Sequence, residues 1–158
     1  MSVQTGVAAV TEFLERAGVP YEVVEHERAE TAVAEARAVG VQPADVAKTV
    51  VMRDHEALRL AVLPASERLD MHKVKQALGS RGVRLLTERE MAEEFDGFDV
   101  GAVPPFGSMF NALELLDERL LNQDRILCCA GDHEHAVLVD PRDMAQAGEA
   151  RVADICEA

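Results

Sequence analysis

The chain has 158 residues, 48% of them apolar, enough for one domain with one substantial core and too little for two independent ones. Its formal charge of −13 argues against broad binding along a phosphate backbone, DNA included, and leaves room only for a narrow contact such as a terminal nucleotide in a pocket. No window is long and apolar enough to span a bilayer, and the opening M-S-V-Q-T-G-V-A-A-V lacks a basic stretch followed by an uninterrupted apolar run, so no membrane partner and a cytoplasmic location are expected.

Apolar Val7, Val10, Phe13, Leu14 and Ala17 recur at helical spacing, and Gly18 with Pro20 ends that first helix. Residues 21–26 alternate as a strand does. The alanine-rich run 31–39, with Gly40 just beyond it, predicts a second helix. After a turn at 41–45, A-K-T-V-V-M (47–52) and L-R-L-A-V-L-P (58–64) predict two strands joined by a turn at 53–57, with Lys48 near the head of the first. Asp70 is positioned to cap a helix over 71–78 that Gly79 closes, and 83–86 is a short bounded strand. Thr87 with Glu90 forms a capping-box pattern for a helix running to Phe95. From Gly97 to Gly107 three glycines and two adjacent prolines predict a stiff, shaped loop. Residues 109–116, 125–130 and 135–139 are expected as late strands, and Pro141 opens a short helix at its favoured first position. No repeat, linker or steady βαβ rhythm is present. The expectation is therefore an α+β fold over residues 1–158, a mixed sheet with flanking helices.

Few residues can carry chemistry. Lys48, in an otherwise apolar strand, either snorkels to the rim or projects its ammonium into a cleft, where it could hold a phosphate or polarise an ester carbonyl. The loop G-A-V-P-P-F-G (101–107) is either a tight connection or a ligand loop in which glycine permits close backbone approach. A pocket between Lys48 and that loop is the expected functional site. The loop is neither a Walker motif nor a dinucleotide fingerprint. His133 and His135, spaced i and i+2 beside Asp132 and Glu134, have no third ligand at a convincing spacing, so neither a metal nor any other cofactor is expected. Cys128, Cys129 and Cys156 form no C-x-x-C, and the adjacent pair reads as strand residues. His26 and His55 stand alone, and Ser66 and Ser108 have no evident base partner, which disfavours a serine hydrolase. Arg68, His72, Lys73, Lys75, Arg81 and Arg84 cluster in sequence, as either the solvated face of a helix or a phosphate-tracking patch.

Taken in order, His26 followed by Thr31, V-A-K48-T49-V, the Leu69-Asp70…Lys73 helix start, the Gly101 to Gly107 loop and Ala130-Gly131 ahead of a strand ending D-P-R-D-M resemble the YbaK/EbsC/prolyl-tRNA synthetase-associated domain family. The resemblance runs from about Val19 to Ile155, and Lys48-Thr49 with G-x-x-x-P (101–105) are its most specific parts. It implies a curled, barrel-like mixed β-sheet flanked by helices, and a trans-editing aminoacyl-tRNA deacylase that hydrolyses the ester of a small misacylated amino acid, Ala- or Cys-tRNA(Pro)-like. The partner it implies is a misacylated tRNA 3′ end, with an aminoacyl-tRNA synthetase as a further candidate.

By the same resemblance Lys48 and Gly101 would act at the ester, with His26, Thr31, Thr49, Ala102, Pro105, Gly131 and His135 around the substrate. Backbone amides, an ammonium and the substrate's own ribose hydroxyl would then serve without a protein base. Val24 stands where the cysteinyl-clearing branch often has tyrosine, and Ala130 where it has serine, so the amino acid accepted stays open. The other reading is a non-catalytic module that binds a nucleotide, a tRNA end or a protein and keeps the same fold.

Overall fold

The structure, a computed structural model, describes residues 6–158. Helix α1 (Gly6–Ala17) buries Val10 and Leu14 from its apolar stripe. Strand β1 (Glu22–Glu25) leads to α2 (Ala32–Val39), which Thr31 caps by accepting a hydrogen bond from the Ala34 amide and Gly40 closes in the left-handed conformation at φ 87°. Strands β2 (Ala47–Asp54) and β3 (Ala57–Pro64) form an antiparallel hairpin in which Lys48 faces Leu63 and Thr49 faces Val62. Helix α3 (Met71–Leu78) follows, capped by Asp70 through the His72 and Lys73 amides, then β4 (Val83–Leu85) and α4 (Glu88–Glu94), whose Thr87–Glu90 capping box is complete on both sides. After the glycine- and proline-rich loop come β5 (Leu113–Asp117), β6 (Ile126–Cys129), β7 (His135–Val139), α5 (Pro141–Ala147) and β8 (Arg151–Ala153).

The strands make two open sheets where one curled, barrel-like sheet was expected. One has the order β1-β7-β6 and is antiparallel; the other has the order β4-β2-β3-β5-β8, with β5 parallel to both β3 and β8. A single parallel bridge between Val46 and Leu127 joins them, placing the head of β2 beside β6. Between the sheets lies a core of Val62, Leu116, Ile126, Cys128 and Val137, closed by Leu14 of α1 and Met144 of α5. Successive residues of β3 serve different clusters. Leu60 packs with Leu86, Phe95 and Val103, Ala61 with Val74 and Leu115, and Val62 with the inter-sheet core. Leu60, Ala61, Val62 and Leu63 are covered on both faces, which is why that part of β3 is apolar without alternation.

Two expected elements change. Residues 109–112 were expected as the start of a strand, but Gly107–Phe110 forms a 3-10 turn ended by Asn111 at φ 54°, and the strand begins only at Leu113. Aromatic packing explains the difference, since Phe110 stands edge-on to Phe95 and Phe98 with ring centroids 4.9 and 5.4 Å apart. Strand β8 was not expected at all, because its Arg151 and Val152 are exposed and its order comes from pairing with β5.

Candidate functional site

The head of β2, the start of α2, the 101–107 loop and the β6–β7 connection converge on a cleft of about 50 Å³, a few times the ~10–15 Å³ one water requires. Lys48, Thr49, Thr31, Gly101 and Ala102 line it together, with Glu35, Cys129, Asp132 and His133 among the other walls. The cleft opens into a groove of about 570 Å³ over Arg28, Met91, Asp99 and Val100. An open groove of about 580 Å³ between α1 and α5 is lined by none of the expected site residues.

Lys48 is half-buried, and its Nζ donates to the Glu67 carbonyl oxygen at 2.8 Å. Burial holds its ammonium below the usual lysine range, and the nearby charge of Arg68 acts in the same direction. Next to it, Thr49 Oγ1 is sealed from solvent and has no hydrogen-bond partner among the described residues. An unsatisfied buried hydroxyl is costly, and this one belongs to a residue that lines the cleft.

The loop is fixed from both sides. The Ala102 amide donates to the Asp99 carbonyl (2.9 Å), the Asp99 amide to the Gly131 carbonyl (2.9 Å), and the Gly131 amide to the Ala102 carbonyl (3.1 Å). Gly101 sits at φ 86°, while a side chain there would meet nothing nearer than Glu30 O and His133 Cε1 at 3.8 Å, so the dihedral alone requires glycine. Gly131, at φ 91°, is required on both counts, since a Cβ would come within 2.8 Å of Gly6 and 2.9 Å of Phe98. At the far end Gly107 donates its amide to buried Glu114 Oε1 at 2.7 Å. Burial raises that carboxyl to about 8, the Gly107 bond opposes the rise, and Glu114 Oε2 is left unpaired.

Sequence reasoning missed Glu35. It lies on the buried face of α2, and its Oε2 is 3.1 Å from His26 Nε2, with the two side chains 5% and 2% exposed. Burial raises the Glu35 carboxyl to about 7, against the charge of His26 and its hydrogen bond, which pull it down. The only sequence signal was a lone acid in A-V-A-E-A-R-A-V; its pairing with His26, nine residues earlier, is visible only once α2 folds back. His26 therefore does not stand alone, and it supports Glu35 from behind.

Three further expectations shift. His135 is not a wall of the cleft: its Nδ1 bonds the Asp132 carboxylate at 2.9 Å, and buried His133 is the histidine that faces the cavity. Pro105 is buried within the loop and Gly131 supports the loop from below; neither lines the cleft. Within the basic cluster, Lys73 is held by Asp154 (2.9 Å) and Arg84 by Glu90 through two bonds of 2.8 and 2.7 Å. Cys129 donates its thiol to the Val103 carbonyl at 3.0 Å, and burial pushes it well above the usual thiol range, so it offers no thiolate near neutrality.

Residues 26–147 match the aminoacyl-tRNA editing domain family, and the chain belongs to that family. Its general role is accordingly aminoacyl-tRNA editing. A crystal structure of a candidate trans-editing enzyme for prolyl tRNA synthetase is 28% identical with a TM-score of 0.86, the match covering 99% of this chain and 100% of that one. The crystal structure of hypothetical protein APE2540 is 26% identical with a TM-score of 0.84, over 94% and 99% of the two chains. Uncharacterized protein YwhH of Bacillus subtilis (strain 168) is 25% identical over 139 residues, 86% of this chain and 87% of its own. No helix among the described residues is long and apolar enough to cross a membrane.

Proposed function

We propose that the chain is a trans-editing deacylase that hydrolyses the ester of a small misacylated amino acid on the 3′ end of a tRNA, Ala- or Cys-tRNA(Pro)-like. The observation that carries this is the small cleft in which Lys48, Thr49, Gly101 and Ala102 meet. Its size suits a methyl or thiol side chain and suits a larger one poorly. One methylene in such a site is worth only about 1–3 kcal/mol of discrimination, so the sieve works by excluding bulk. Lys48 is assigned to the developing oxyanion, Gly101 to close approach at the ester, and the unpaired Thr49 hydroxyl to the substrate's polar edge.

Measured as deacylation of mischarged alanyl- and cysteinyl-tRNA by the purified protein, Lys48→Ala is expected to lower kcat/KM by roughly 10²–10³-fold. Activity indifferent to that substitution would remove Lys48 from the mechanism, and no hydrolysis of any mischarged tRNA would remove the deacylase. A second reading, a binding module without catalysis, draws on the acidic mouth, where Glu30, Glu88 and Asp99 outnumber Arg28 and Arg28 is itself paired to Glu30 at 3.0 Å. Binding of a tRNA end without turnover would favour it. The same acidity supports help from a synthetase in holding the tRNA.

A further inference from the structure

Beside the lysine and glycines the cleft borders a buried titratable pair, His26 and Glu35. His26 Nδ1 lies 2.6 Å from the Glu27 carbonyl oxygen, and because a carbonyl only accepts, Nδ1 carries a hydrogen. Nε2 is then a bare lone pair unless protonated, so its 3.1 Å contact with Glu35 Oε2 needs one further proton, held either on the carboxyl or on the imidazole. The pair thus holds one mobile proton and no net charge, which makes it tolerable at this depth. Glu35 Oε1 takes no donor from the described residues, and Glu35 is one of the walls of the cavity.

We infer that Glu35 is the general base of the hydrolysis, with His26 as the positioning residue behind it. The inference rests on the deacylase reading and adds to it a proton acceptor belonging to the protein. Glu35 Oε1 takes a proton from water as the water oxygen bonds to the ester carbonyl carbon. The ester bond to the ribose oxygen then breaks, that oxygen leaves with the proton from Glu35, and the amino acid departs as a free acid. The carboxylate is regenerated with no co-reactant. A base poised near the working pH suits this task, and burial brings the Glu35 carboxyl to about 7. The charged or titratable groups around it are His26 behind, Asp132 and His133 from the β6–β7 connection, Lys48 from β2, Glu30 at the entry to α2 and Cys129 from β6.

The experiment is steady-state deacylation of mischarged alanyl- and cysteinyl-tRNA between pH 5.5 and 8.5, with substrate concentration varied to separate kcat from KM. For the unmodified protein the rate rises with pH through about 7 and then levels, because the carboxylate is the active form. Glu35→Gln, whose amide can still donate to His26 Nε2, is expected to lose roughly 10²–10⁴-fold in kcat with KM nearly unchanged, and the remaining activity loses the limb. His26→Gln removes the cation that pulls the Glu35 carboxyl down, so its inflection moves to higher pH. That shift is a signature a merely structural role would not produce, and it can be read even where Glu35→Gln folds poorly. The limb survives His133→Gln.

A Glu35→Gln enzyme with unchanged kcat and profile overturns the inference while leaving the deacylase intact. A rise in KM alone overturns it as well, making Glu35 a binding group. A protein that hydrolyses no mischarged tRNA overturns the inference and the deacylase reading together.

Discussion

Two buried glutamates flank the glycine/proline loop, and burial raises both carboxyls, yet their surroundings differ. Glu35 has a histidine on one oxygen and belongs to a wall of the cavity. Glu114 lies behind the loop with one oxygen on the Gly107 amide, the other unpaired, and Gly148 so near that a Cβ there would stand 2.8 Å from Oε1. A desolvated carboxyl with a proton-sharing partner and an open face can exchange protons with a substrate, whereas a sealed one can only hold backbone in place. On the proposed reading the cleft end of the loop is the chemical end and the Gly107 end its anchor.

The largest expected effect that would break this contrast concerns the anchor. The folded carboxyl of Glu114 titrates near 8, above the ordinary 4.5, so its contribution to stability is complete below about 4.5 and is lost as pH rises through about 8. Denaturant titrations at pH 5 and pH 9 should show a loss on the order of 4 kcal/mol that Glu114→Gln removes; an equal loss in both proteins would show that Glu114 is not sealed. Next in size is Gly107→Ala. Its new Cβ would overlap the Ala112 carbonyl oxygen and press on Glu114, with an expected cost of ~3 kcal/mol in chemical denaturation.

At the cleft end the balance between stability and activity should reverse. Gly101→Ala meets only ordinary contacts but a strained φ, so ~1–2 kcal/mol of stability is expected to go, together with roughly 10²-fold of deacylation rate if backbone approach matters. A Gly101→Ala enzyme of full activity would make this end structural too. The smallest effect belongs to Thr49→Val. Removing an unpaired buried hydroxyl should stabilise the fold by up to ~1 kcal/mol in thermal unfolding while kcat/KM falls about tenfold, because that hydroxyl finds its partner only in the substrate.

Much of this was legible in the chain. Composition, caps and breakers acting within a few residues placed α2 through its alanine run and Gly40, α3 through Asp70 and Gly79, and α4 through Thr87 and Glu90. Lys48 and Gly101 stood out because an ammonium in an apolar strand and glycines beside paired prolines violate the local pattern. Strand β8 was not legible, since its own residues are exposed and only β5 orders it. Nor was the start of β5, where Phe95 and Phe98, a dozen or so residues upstream, pack on Phe110 and decide that residues 107–110 turn instead of extend.

By itself the sequence determined the mixed α+β class and most of the helices and strands, and it singled out the lysine and loop of the proposed site, because caps, breakers and periodicity act over a few residues. Only the tertiary structure decided that the sheet is two sheets bridged at Val46 and Leu127, that His133 and not His135 faces the cleft, and that Glu35 stands 3.1 Å from His26. Those outcomes depend on which distant segments exclude water from one another. Burial of that kind sets both the direction a side chain takes and the readiness of a carboxyl to give up its proton.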